Sequence, residues 1–261
     1  MLRVLKILVS LCIQFTINQK NIMSNLLSTN NAKTIKGEKK GYRTYIMYLS
    51  PYKNNSKGKN LCPNASKGCS EACLFFSGMG GMFTKIQQGR INRTELFLSN
   101  RKAFMFKLYS ELLEISGKKD NMIPVVRLNG TSDIPFENIQ VFDDKTIFEL
   151  FPNIQFYDYT KNHKRFKKEL PKNYHLTFSR DETNDKVAEK LLKKGFNVAY
   201  VFNKLPKTYK GFKVINGDEN DLRFNNGKQV IIGLKYKKAT NKGASIINKN
   251  AMSSGFVIIN D

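Results

Sequence analysis

The chain has no tryptophan, only two histidines and four cysteines in 261 residues, and 21 acidic side chains against 44 lysines and arginines. Each scarcity narrows what the protein can be. His163 and His175 lie far from the cysteines in sequence, and His175 alternates within a strand-like run, where a histidine is more often packed than ligating. A histidine-built metal centre is therefore disfavoured. Three cysteines remain once Cys12 in the N-terminal segment is set aside, and an odd number argues against a disulfide framework. Reduced thiols of a cytosolic compartment fit better, and clusters of these more often bind metal or catalyse. No G-x-G-x-x-G follows the first strand-like run, so the dinucleotide-binding fingerprint is missing. Sequence repeats and long low-complexity linkers are also absent.

The apolar run in "MLRVLKILVSLCIQF" has a basic start like a signal peptide, but no small-x-small cleavage site follows it. It is short for a membrane span. A second start is available at Met23, so residues 1–23 are expected to be an extension outside the core, and 24–261 a single α/β domain in the cytoplasm of a host cell. The formal charge of +23 makes nucleic acid or a nucleotide the first partner to consider. Richness in Lys, Asn and Ile is also what an AT-rich genome encodes whatever the function. The lysines are scattered, and only "KNHKRFKK" (161–168) and "KYKK" (235–238) form local clusters.

Beyond the extension, short strands alternate with helices. Strands are expected at 42–50, 122–130, 153–160, 174–179, 196–203, 211–216 and 229–236, with an edge strand at 255–261. Helices are expected at 84–99, at 143–151 capped by Asp143 or Asp144, and at 183–195 ending on Gly195. The clearest helix is 101–115, with Phe104, Leu108 and Leu112 four residues apart, Asn100 as its cap and Gly117 at its end. Strand, crossover and strand in succession imply parallel pairing with helices outside. A complete or partial (β/α) TIM-like barrel is the first expectation, and an open doubly wound parallel sheet the alternative.

Against this background "NLCPNASKGCSEACLFFSGMGG" (60–81) stands out, because it gathers Cys62, Cys69 and Cys73. The spacing C-x6-C-x3-C lacks the two close pairs of most structural zinc sites. Three thiolates on a 4Fe–4S cluster would leave one iron open. Gly68, Ser70, Ala72, Gly78, Gly80 and Gly81 would let backbone approach the sulfurs. A structural zinc, a cysteine nucleophile with no obvious histidine partner, and plain packing thiols stay open beside it. In a barrel this loop leaves the C-terminal end of the first strand, the face where active sites form. Polar groups follow the other strands: Asn129, Thr131, Ser132 and Asp133 in "NGTSD", then Lys161, then Ser179, Arg180 and Asp181, then Asp218, with Lys235 near the end of the last main strand. Lys161, Asp181, Asp218 and Lys235 are the candidate catalytic groups. Taken singly, such residues also serve as caps and turn formers.

The segments "YLSPYKNNSKGKNLCPNASKGCSEACLFFSGMG", "VVRLNGTSD", "FPNIQFYDYTKN", "NYHLTFSRDE", "NVAYVF", "INGDENDLRF" and "VIIGLKYK" occur in this order. Together they resemble the phage family named after gene product 88 of a mycobacteriophage. This implies a phage or prophage protein and no settled biochemistry. More loosely, three cysteines after the first strand of a (β/α) fold are similar to the radical S-adenosylmethionine enzymes. That resemblance implies a 4Fe–4S cluster on Cys62, Cys69 and Cys73, with S-adenosylmethionine on its free iron. It further implies that the turn carrying Asn129, Ser132 and Asp133 meets the methionine amino group, and that Ser179 and Arg180 hold the carboxylate or ribose. The spacing departs from that family's C-x3-C-x2-C, and Ala72 replaces its usual aromatic.

Overall fold

A computed structural model describes residues 25–29, 32–73, 75, 82–239 and 244–260. The extension 1–23 with Cys12 and Met23, and Gly78, Gly80 and Gly81, lie outside these. The strands are β1 (Leu27–Ser28), β2 (Tyr42–Met47), β3 (Ile123–Arg127), β4 (Gln140–Phe142), β5 (Lys145–Thr146), β6 (Gln155–Thr160), β7 (Tyr174–Ser179), β8 (Val198–Phe202), β9 (Thr208–Tyr209), β10 (Phe212–Asn216), β11 (Ile231–Lys235) and β12 (Val257–Ile258). The helices are α1 (Ala32–Glu38), α2 (Lys67–Glu71), α3 (Thr84–Ser99), α4 (Arg101–Ser116), α5 (Ile147–Leu150), α6 (Asp185–Lys193) and α7 (Ala244–Ser253).

Ten strands form one sheet in the order β1-β2-β3-β6-β7-β8-β11-β10-β9, with β12 added to β8. Pairing is parallel from β2 through to β10, and antiparallel only at the edge strands β1 and β9. The α/β class is as expected. Among the described residues the sheet is not closed into a barrel: it ends in β1 on one side and β9 on the other. From β2 to β8 the strands nonetheless succeed one another without reversing direction across the sheet, unlike a doubly wound fold, whose order reverses at a switch point.

The register assigns the two faces. Val126 pairs with Phe156 and Phe156 with Tyr174, while Tyr157 pairs with His175 and Tyr159 with Thr177. Val126, Phe156, Tyr174 and Leu176 join Phe104, Leu108 and Leu112 of α4 in the largest apolar cluster. Asn100 Oδ1 caps α4 by accepting from Ala103 N, and Gly117 ends it. The opposite face carries Arg127, Tyr157, Tyr159, His175 and Thr177, and the crossover from β10 to β11 runs across it. There Asp221 accepts from Tyr157 Oη at 2.8 Å and from Arg127 Nη1 at 3.1 Å.

One expected helix is corrected. Residues 143–151 begin with a turn, because Asp143 and Asp144 take left-handed φ values of 46° and 58° between the antiparallel strands β4 and β5. The helix is only α5, and its N-terminus is tied by the Glu149 carboxylate, which accepts the Thr146 N–H and hydroxyl.

Gly130 sets the spacing between the first two long strands and the polar turn above them. Its N–H bonds Met47 O at 2.9 Å, and a Cβ there would lie 2.6 Å from that same backbone oxygen. Gly130→Ala is expected to lower stability by about 1–3 kcal/mol through overpacking. The urea midpoint measures this, and an unchanged midpoint would mean that β2 and β3 separate freely.

Candidate functional site

The cysteine loop lies at the C-terminal ends of β2, β3, β6 and β7. Leu61 O accepts from Asp133 N at 2.9 Å, and Cys62 Sγ stands 3.6 Å from Thr131 O, so the loop packs on the Asn129–Asp133 turn. Further along, Ser66 caps α2 by accepting from Cys69 N. Glu182, in the loop after β7, holds this helix start: its carboxylate accepts Gly68 N at 2.7 Å and Ser66 Oγ at 2.9 Å. A side chain at residue 68 would collide with that carboxylate at 2.8 Å. Cys69 and Ala72 pack against Phe256, Val257 and Ala251, so α7 and β12 cover the loop from the other side.

Cys62, Cys69 and Cys73 are partly buried free thiols. Burial is the main cause that pushes Cys62 up to about 12 and Cys73 up to about 11; it raises Cys69 as well. Neighbouring thiols add to the rise at Cys62 and Cys73, which puts the three within electrostatic reach of one another. Lys161 opposes the rise at Cys69, and Arg90 opposes it at Cys73. The thiols are brought to one end of the sheet, but among the described residues no three Cys, His, Asp or Glu side chains stand in metal-ligating geometry. At pH 8 a chelator-treated Cys12→Ser chain is expected to react with iodoacetamide more slowly than free cysteine, because the thiolate is the nucleophile. Alkylation at the free-thiol rate would contradict the burial.

Two of the four candidate catalytic groups meet here. Lys161 Nζ donates to Ser179 O at 3.2 Å, Ser179 Oγ at 3.1 Å and Arg180 O at 3.3 Å, and lies 3.3 Å from Asp181 Oδ2. Asp181 is fully buried. Asp218 and Lys235 stand elsewhere, on the β10–β11 side. Asp218 Oδ2 accepts from Lys235 N at 2.8 Å and Asp218 O from Lys36 Nζ at 3.1 Å, and neither contact reaches the cysteine loop.

The residues read as cofactor ligands are engaged within the fold. Asn129 Nδ2 donates to Asp158 Oδ2 and Ile134 O, and its Oδ1 accepts from Ser132 Oγ and Ile134 N. That amide is saturated. Asp133 accepts from Lys161 N at 3.0 Å and Arg165 Nη1 at 3.1 Å. Arg180 donates to Asp185 Oδ1 and to the Gly255 and Phe256 carbonyls.

The basic run 161–168 likewise directs two of its cations inward: Lys161 to Asp181, and Arg165 to Glu137 and Asp133. Sequence reading missed Glu182 and Arg90. Glu182 had a signal, since it directly follows the polar run ending in Asp181. Arg90 had none within its helical stretch.

Fold and site thus define an α/β protein with an open, mostly parallel sheet and three thiols in a loop over its strand C-termini. The family model described as Gene product 88 matches residues 25–257, and the chain belongs to that family. No curated protein and no solved structure matches it significantly.

Proposed function

We propose that this member of a phage family is an iron–sulfur enzyme of radical S-adenosylmethionine-like type. Its 4Fe–4S cluster is held by Cys62, Cys69 and Cys73 at the mouth of the sheet, and its substrate is a nucleotide, nucleic acid or host molecule. The observation that carries the reading is the placement of three thiols over parallel-strand C-termini, beside the buried Lys161–Asp181 pair. Three thiols are the ligand type such a cluster takes; burial opposes their ionisation, and Lys161 at Cys69 and Arg90 at Cys73 act against that rise. A cluster with three protein ligands supplies an electron and an open coordination position for a co-substrate. The chain's own part is to position and to shield. Glu182 fixes α2, Asp133 ties the turn above β3 to Lys161, and Phe256 and Ala251 of α7 pack against Cys69.

Anaerobic purification with metal and sulfide analysis tests the proposal. Brown protein with about four irons and four sulfides per chain is expected, with loss of iron in Cys62→Ala, Cys69→Ala and Cys73→Ala. Colourless protein with one zinc would overturn it. That result would favour a non-enzymatic nucleic-acid-binding protein with a structural zinc, in keeping with the charge of +23, and its affinity should then fall steeply with added salt. Among the described residues no helix is long and apolar enough to cross a membrane.

A further inference from the structure

Four described arginines are buried: Arg90, Arg165, Arg180 and Arg223. Three have a carboxylate. Arg165 bonds Glu137 and Asp133, Arg180 bonds Asp185, and Arg223 lies 3.4 Å from Asp221. Arg90 is the exception. It is 7% exposed, and its Nε and Nη1 are buried with no hydrogen-bond partner among the described residues. Its guanidinium sits 5.1 Å from the Tyr48 ring centre and 5.3 Å from that of Phe75. The groups that act on it are Tyr48 and Cys73, with no Asp or Glu among them.

The position is held firmly. Arg90 O accepts from Thr94 Oγ1 at 2.9 Å, and Thr94 Oγ1 accepts in turn from Ser50 N at 2.8 Å, which pins α3 to the segment leaving β2. Tyr48 also acts on Arg127, whose Nε is likewise buried without a partner. Two guanidinium groups therefore act on one tyrosine at the end of β2, and among the described residues only Arg127 of the two has a carboxylate, Asp221.

An uncompensated buried charge is strongly unfavourable. Aromatic faces on a guanidinium compensate it only in part. The N–H groups of Nε and Nη1 have no partner among the described residues, and such in-plane donors match the oxygens of a carboxylate or phosphate.

We propose that Arg90, clamped between Tyr48 and Phe75, is the oxyanion-binding residue of the mouth and receives the phosphate or carboxylate of a small-molecule substrate next to Cys73. The proposal rests on reading this mouth as a reaction site, and names the substrate class as anionic. It does not require the cluster.

The test is thermal melting of the purified full-length chain against rising inorganic phosphate and, separately, acetate, each compared with chloride at equal ionic strength. A ligand that binds only the folded state raises Tm with its concentration. A saturable rise is expected with at least one of the two, and phosphate without acetate, or the reverse, tells which source is used. Arg90→Met is expected to fold and to weaken the half-saturation concentration by about tenfold or more, as for loss of a charge-assisted bond. Arg90→Lys, which keeps the charge and loses the fork, should fall between and serves as the test should Arg90→Met fail to fold.

No anion-specific rise in the wild type, or an equal rise in a folded Arg90 variant, would overturn the proposal. So would loss of iron in Arg90→Met with phosphate binding intact, because the charge would then serve the thiolates. If the protein holds no iron yet shows the Arg90-dependent rise, the cluster reading falls and the oxyanion site stands.

Discussion

Asp158→Ala is expected to remove about 3–5 kcal/mol of stability, the range for stripping one member from a buried charged network. Asp158 is fully buried on β6. Its carboxylate accepts from Asn129 N at 2.7 Å, Asn129 Nδ2 at 3.0 Å and Tyr174 Oη at 2.9 Å. Alanine would leave these donors unpaired in an apolar layer, with Phe148 stacked on Tyr174 at 4.2 Å. The damage spreads, because Tyr174 Oη also accepts from Arg165 Nη2 at 2.8 Å, and Arg165 holds Glu137 and Asp133. The turn beside the cysteine loop therefore loosens together with the core. Equilibrium unfolding measures the loss, and a change below about 1 kcal/mol, the scale of an ordinary surface substitution, would show that the network is dispensable.

The same residue predicts a pH dependence. Burial pushes Asp158 up to about 6, against the opposing pull of the Asn129 N–H and the nearby arginines. Its folded value lies above the unfolded one of about 3.9, so the folded state binds the proton more tightly. The stability this contributes is full below about pH 4, declines as pH rises, and is gone above about pH 6. Asp158→Asn cannot titrate. The wild type's stability relative to Asp158→Asn should therefore fall between pH 4 and pH 7, and a constant difference would contradict the raised value.

Much of the fold was legible because its signals are local. Asn100 and Gly117 bracket α4 and its four-residue apolar spacing, and β7 occupies the whole of its apolar run, Tyr174–Ser179. The aspartates at 143 and 144 misled because the same residue types cap helices and occupy left-handed turn positions. Neighbouring strands alone could decide between the two. Barrel closure was out of reach for a related reason. Parallel strands in sequence order suit a barrel or an open sheet equally, and what separates them here is where β1 and β9 end the hydrogen-bonding.

The site was legible in part. Three thiols in one short segment are visible in any reading, and so is the polar turn they rest on. What each polar residue does was not visible, because that depends on partners distant in sequence. Asn129 has the composition of a ligand, yet its amide is used up by Asp158, Ile134 and Ser132. Lys161 and Arg165 belong to a local basic cluster in the sequence, and both turn inward to carboxylates. Arg90 reads as one more helical arginine until Tyr48 and Phe75 close on it.

Lys161→Met is expected to cost about 3–5 kcal/mol, as for breaking a buried ion pair from one side, and Lys161→Met with Asp181→Asn together much less than the sum. The side chains of the pair are 10% and 0% exposed. Asp181 Oδ1 accepts from Thr183 N and Oγ1, whereas Oδ2 has no aligned hydrogen bond among the described residues and lies 3.3 Å from the Lys161 ammonium. Removing the lysine strands that oxygen, and removing the carboxylate leaves the ammonium on the neutral oxygens of Ser179 and Arg180. A double-mutant cycle should return a coupling of about 1–3 kcal/mol.

Metal retention separates a structural pair from a working one. Lys161 favours the ionised form of Cys69, and Asp181 disfavours it. Both single variants lose stability, but if the cysteine loop holds the proposed cluster, then against a chelator Lys161→Met should release it more readily than the wild type and Asp181→Asn less readily. If both release it more readily in step with their unfolding, the pair only holds the fold. Opposite shifts would mean that it sets the charge at the cysteine loop, which a structural ion pair has no reason to do.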